Sequence, residues 1–143
     1  MSTDMKGHTL TTTKGRKVLY LATTAFAAIA LTAIGTADVL RMPALIQGLT
    51  HLGYPAYLAT ILGTWKLLGV AAILAPGLPR VKEWAYAGLF FTLTGAAVSH
   101  AVSGDPLGNV AFPLVLLAVV IASWALLPAR KAVVAVQAPA RVA

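Results

Sequence analysis

The chain has 143 residues, of which 59% are hydrophobic and only 10% charged, against about 25% charged in an ordinary soluble domain. With a mean hydropathy of +0.83, it is read as an integral membrane protein of one domain, not a water-soluble one. The net charge of +7 does not call for nucleic acid, because the basic residues lie in short clusters beside apolar runs. Cysteine is absent, which excludes disulfides, thiol redox chemistry and iron-sulfur clusters held by this chain's own thiolates.

Residues 1–17 form a basic segment with Lys6, Lys14, Arg16 and Lys17. The first apolar run, Val18 to Val39, approaches the length of about 20 residues that a spanning helix needs. "KGRK" before it and "GTA" before Asp38 also have the outline of a signal peptide with its cleavage site. The run is longer than the usual apolar region of about 7 to 15 residues in such peptides, so an uncleaved helix is expected.

From Leu40 to Pro55 the chain is not a simple loop. Met42, Leu45, Ile46, Leu49 and Leu52 recur at helical spacing, with Arg41, Gln47, Thr50 and His51 on other faces. This pattern predicts a short amphipathic helix on the outer membrane surface, packed against the bundle or roofing a cavity. Packing against the bundle is the expected role.

Three further spans follow, at Tyr57 to Ala75, Trp84 to Ser103 and Val110 to Leu127, punctuated by "GYP", "PGLP" and "GDPLGN". Pro113 is expected in the first turn of the last helix, where its missing N–H costs little. Residues 128–143 are a basic tail with Arg130, Lys131 and Arg141. The predicted fold is all-α: an integral membrane four-helix bundle over 18–127, antiparallel, with a short surface helix between the first and second spans.

Lys and Arg also cluster at Arg80 and Lys82, whereas the opposite side has only Arg41. Both termini are therefore expected to be cytoplasmic. Aromatic residues suit the membrane edges, with Tyr20, Trp84, Tyr86 and Trp124 near the inner boundary and Tyr54, Tyr57 and Phe112 near the outer one.

Within the second span, "GTWKLLG" places Lys66 near mid-membrane, where a lysine is unfavourable by about 2.5 to 3.5 kcal/mol before snorkelling. Gly63 and Gly69 flank it and mark a face that another helix can approach closely. The charge is expected to face the bundle interior and needs a partner. Asp38 at the outer end of the first span and His100 near the outer end of the third are the candidates. Gly88, Thr92, Ala96 and His100 recur every four residues as a small-residue stripe suited to close packing.

An Asp38, Lys66 and His100 constellation is thus expected in the outer half of the bundle, with Thr32, Thr36, Thr64 and Ser99 as hydrogen-bonding neighbours. It is either a ligand-binding or proton-exchanging site or simply a structural ion pair beside a hydrogen-bonded histidine. Glu83 and Lys82 fit helix-terminal charges and membrane anchors. Trp65 fits lipid contact or packing bulk. No phosphate-cradling loop, nucleophile elbow or paired-histidine motif is present, and His8, His51 and His100 are scattered, so no metal site is expected.

Leu52 to His100 resembles the DoxX-like family of small bacterial membrane proteins. The resemblance lies in "GYPAY", "GTWKLLG", the proline before "KEWAYAG" and the later "GA" and "SH". It implies motif positions at Gly63, Lys66, Gly69, Glu83, Trp84, Tyr86 and His100, among others. It also implies a multi-pass protein of the bacterial cytoplasmic membrane, with a link to membrane oxidoreductase complexes for some relatives. No cofactor is evident in the sequence itself.

Three functions follow as expectations. An accessory subunit of a quinone-linked oxidoreductase complex would set a quinone head group against Lys66 and His100 and need a redox partner. A stand-alone binder, transporter or isomerase would hold a small amphipathic or anionic molecule there. A purely structural membrane protein would merely pair the lysine. The lipid bilayer is the first partner in every case, and a homo-oligomer is compatible with each.

Overall fold

Backbone N–H and C=O groups have no water to bond in hydrocarbon, so apolar runs of this length close their hydrogen bonds internally as helices. A computed structural model describes residues 4–128, with side chains described from Lys14 onward. Among the described residues there are five helices: α1 (Asp4–Val39), α2 (Pro43–His51), α3 (Tyr57–Leu74), α4 (Pro79–Val102) and α5 (Leu107–Ala125). The Lys14–Val39 part of α1 and the whole of α3, α4 and α5 are long and apolar enough to cross a membrane. The protein is a multi-pass helical membrane protein. The tail residues Arg130, Lys131 and Arg141 and the side chains of Lys6 and His8 lie outside the described residues.

Several helix starts are earlier than the hydropathy alone implies. α1 begins well before Val18, at Asp4, because a polar segment can continue a helix that apolar residues have already nucleated. α4 begins with Pro79 in its first turn, where the ring fits and no N–H partner is needed. α5 begins at Leu107, behind Pro106 in an extended conformation. Pro113 is therefore in the second turn and buried inside the helix, not in the first turn as expected. It cannot supply the usual bond to the carbonyl of Asn109.

Sharp reversals connect the helices. Gly77 and Gly104 adopt φ values of 74° and 71°, a region that glycine enters without a side-chain clash. Between α1 and α2, Arg41 takes φ 53°, an uncommon conformation for a residue with a Cβ.

α1 packs on α3 and α5, and α4 also packs on α3 and α5, giving a closed ring in the order α1, α3, α4, α5. Neighbours in the ring run antiparallel. α2 lies across one end, touching α1 and α3. Leu31, Ile73, Leu89, Leu93, Leu116 and Val120 meet in the core. Ile29, Trp65, Phe91 and Val115 are exposed, as expected where lipid replaces water.

At the end of the bundle opposite α2, buried polar groups join three helices. Ser123 of α5 is completely buried, and its hydroxyl bonds Thr24 of α1 at 2.7 Å and Tyr86 of α4 at 2.8 Å. Tyr86 is therefore a core residue, not the interfacial anchor its position beside Trp84 implies. The tertiary partner Ser123 pays for drawing the phenol inside. Trp84 remains on the surface. Lys82 Nζ donates to the carbonyl of Ile73 at 2.6 Å, satisfying a group at the end of α3. Glu83 accepts from the indole Nε1 of Trp124 at 2.7 Å.

Candidate functional site

The site begins with two glycines. A Cβ built on Gly63 of α3 would lie 2.6 Å from the carbonyl oxygen of Gly35 of α1 and 2.7 Å from the Cβ of Asp38. A Cβ on Gly35 would lie 3.1 Å from both the Gly63 oxygen and the Lys66 Cβ. The helices cross almost backbone to backbone, which only the smallest residue permits. Asp38 follows Gly35, and Lys66 follows Gly63, by one helical step on the same face. Their side chains are thus delivered to the same crossing.

Lys66 Nζ donates to Asp38 Oδ2 at 2.5 Å, with the two side chains only 13% and 11% exposed. The lysine faces the bundle interior, and its counter-ion is the aspartate of the first span. Pairing removes the isolated charge that lipid would penalise, although both ions still lose hydration.

Above the pair, toward α2, lies a cavity of about 450 Å³, a size typical of small-molecule sites. Apolar side chains, leucine above all, form most of its wall. Its polar groups come from Asp38, Tyr54, Lys66, Thr92, Ser99 and His100. α2 contributes Ala44, Leu45, Gly48 and Leu49, so its apolar stripe roofs a cavity as well as packing on the bundle. Ser99 Oγ donates to the Gly95 carbonyl at 2.8 Å. Its single hydrogen is then committed, and the Tyr54 hydroxyl is the donor in their 2.9 Å contact.

His100 shares the cavity with Lys66 and Asp38 but is bonded elsewhere. Its Nδ1 lies 2.5 Å from Asp105 Oδ2, while Nε2 of His51 lies 2.7 Å from Oδ1 of the same carboxylate. The expected three-residue constellation is thus two units, an Asp38–Lys66 pair and a His51–Asp105–His100 clamp. The hydrogen bond from His100, and then that from His51, holds the Asp105 carboxyl below the usual carboxylate range. The clamp ties the last residue of α2 to the α4–α5 turn. Among the described residues, no group of three or more His, Asp or Glu is arranged to hold a metal ion.

Other expected neighbours are placed differently. Thr64 returns its hydroxyl to the Thr60 carbonyl of its own helix at 2.7 Å, and Thr32 and Thr36 are exposed. Ser99 alone of the four lines the cavity. The stripe of Gly88, Thr92, Ala96 and His100 is not a tight helix contact. A Cβ on Gly88 would meet nothing within 4 Å, and Thr92, Ala96 and His100 are cavity wall. Small residues here leave room. Gly69 makes only ordinary contact, with a built Cβ 3.8 Å from Leu89. Glu83, Trp84 and Tyr86 lie toward the opposite end of the bundle.

Sequence reasoning assigns no site role to Asp105 or His51, and it marks Tyr54 only as an aromatic of the outer boundary within the "GYPAY" motif. Asp105 sits between Gly104 and Pro106, where it reads as turn punctuation. A usable signal did exist for the ion pair, since the spacing from Gly35 to Asp38 repeats from Gly63 to Lys66.

The sequence model of the DoxX-like family matches residues 22–123, which include the α1–α3 crossing, the Asp38–Lys66 pair, the His51–Asp105–His100 clamp and most of α5. No curated protein and no solved structure matches the chain.

Proposed function

The chain belongs to the DoxX-like family, and from that premise we propose that it is a membrane-embedded binder of a small, neutral, amphipathic molecule. The observation that carries this reading is the 2.5 Å Asp38–Lys66 pair at the edge of a mainly apolar cavity. An anionic ligand would find the lysine charge already matched and a carboxylate beside it. A neutral acceptor such as a carbonyl can take one of the remaining ammonium hydrogens without displacing Asp38. The oxygens of Tyr54 and Ser99, whose own hydrogens are already committed, and the imidazole of His100 add polar surface around an apolar body, and Lys66 is left as the donor to an accepting head.

A quinone head group has this chemistry. Were it the ligand, the protein would serve as an accessory subunit of a quinone-linked complex. Electrons would then come from a partner, and proton exchange would fall to His100 or Lys66. On this reading the termini are cytoplasmic and the cavity lies in the outer half of the membrane, which the clustering of Lys14, Arg16, Lys17, Arg80 and Lys82 supports.

The test is native mass spectrometry of gently extracted wild type beside Ala96→Phe, which fills the cavity and leaves the ion pair in place. A small molecule retained by the wild type and lost from a folded Ala96→Phe supports the reading. Equal occupancy of the two, or a ligand-free wild type, counts against it.

A further inference from the structure

A second cavity, of about 380 Å³, lies between α3 and α4 on the other side of Lys66. It runs past Gly69, Ala72 and Gly88 to Val81 and Trp84 near the α3–α4 turn. Its wall is almost wholly apolar. Leu62, Lys66 and Thr92 line both cavities, so the two adjoin at these residues. From Thr92 to Val81, at about 1.5 Å per residue, the groove extends about 16 Å along α4.

We infer that the molecule bound beside Lys66 carries a long hydrocarbon tail, and that this groove holds the tail while the α2-roofed cavity holds the head. This deepens the proposed function and rests on it. Polar groups cluster in the first cavity, and the second offers only methyl, methylene and aromatic surface apart from the Lys66 and Thr92 boundary and the indole nitrogens of Trp65 and Trp84. One amphiphile lying along α4 matches both surfaces, with its polar end toward His100 and its apolar end toward Trp84. The ligand class is therefore a membrane-resident amphiphile with a neutral, hydrogen-bond-accepting head, not a compact water-soluble metabolite. Gly88 has a structural role here: with no atom within 4 Å of its built Cβ, it keeps the groove open.

The experiment uses two probes, a 1,4-benzoquinone bearing a decyl chain and the same ring without the chain. Binding to the purified full-length protein is titrated by native mass spectrometry. Gly88→Leu fills the groove, and Ala87→Leu adds the same bulk at a neighbouring exposed position outside it. Wild type and Ala87→Leu should bind both probes. Gly88→Leu should weaken the decyl probe at least tenfold and leave the bare ring unchanged. If the decyl probe binds Gly88→Leu as it binds wild type, the tail does not occupy the groove and the inference is overturned while the head site stands. The same holds if Gly88→Leu merely dissociates a dimer with the decyl probe unaffected, since the groove would then seat a second copy. If neither probe binds wild type, the head site itself fails, and the tail assignment falls with it.

Discussion

Lys66 reaches Asp38 across the α1–α3 crossing at 2.5 Å, and each residue stands one helical step beyond a glycine of that crossing. The charge pair and the close backbone approach are therefore one feature. Loosening the glycines separates the ions, and removing an ion leaves its partner exposed to a poorly polar interior.

Lys66→Met should be strongly destabilising, because it strands the Asp38 carboxylate. Breaking a pair so far from solvent typically costs about 3 to 5 kcal/mol. The double change Lys66→Met with Asp38→Leu should recover most of that loss. Thermal unfolding in detergent measures both. A double variant no more stable than the single one would show that the ions are not energetically coupled.

At the glycines the expected order is steric. Gly63→Ala pushes a methyl to 2.6 Å from a backbone oxygen, an overlap that no side-chain rotation relieves, and should cost about 1 to 3 kcal/mol. Gly35→Ala, with contacts at 3.1 Å, should cost less. Gly69→Ala meets only ordinary contact at 3.8 Å and gains helix propensity, so it should be neutral or stabilising by up to about 1 kcal/mol. Unfolding midpoints for the three variants check the order, and a Gly63→Ala protein as stable as Gly69→Ala would contradict the crossing.

The clamp on α2 predicts a pH dependence. Asp105 has a lowered pKa in the folded protein because it accepts hydrogen bonds from His100 and His51. Its stabilising contribution is therefore fully present above the ordinary carboxylate value of about 3.9 and is lost as pH falls through the lowered folded value. Wild type should be more stable than Asp105→Asn above about pH 5, with the gap closing on acidification below that carboxylate value. Melting curves of both proteins across that range provide the check; a gap that stays constant to the most acid pH would rule out Asp105 as its source.

Orientation is testable because the chain has no cysteine of its own. Single cysteines at Arg80 and Gly108, both exposed and at opposite ends of the bundle, mark the two sides of the membrane. In intact cells an impermeant thiol reagent should modify Gly108→Cys and spare Arg80→Cys. The reverse pattern would turn the protein over and place the α2 roof inside.

The spans were legible because uninterrupted apolar length leaves few alternatives in a bilayer. The partnership of Lys66 with Asp38 was legible for a related reason, since a lysine in mid-membrane demands an opposite charge and the sequence offers few. His100 lines the same cavity as Lys66 and Asp38, but its bonding partner was not legible, because Asp105 is five residues away through a turn whose geometry hydropathy does not report. Tyr86 looked interfacial beside Trp84 because Ser123, which lies far away in sequence and draws it inside, becomes visible only when α4 meets α5. The Gly88 stripe illustrates a different ambiguity. Small residues permit close approach or leave space, and spacing alone does not distinguish the two.

The neutrality of the Asp38–Lys66 pair also bears on energetics across the bilayer. A single elementary charge moved through the full membrane potential exchanges about 2.3 kcal/mol per 100 mV. An uncharged guest settling beside a pair whose charges cancel moves none. Occupancy of the cavity would then follow the guest's concentration in the bilayer and be indifferent to whether the membrane is energised.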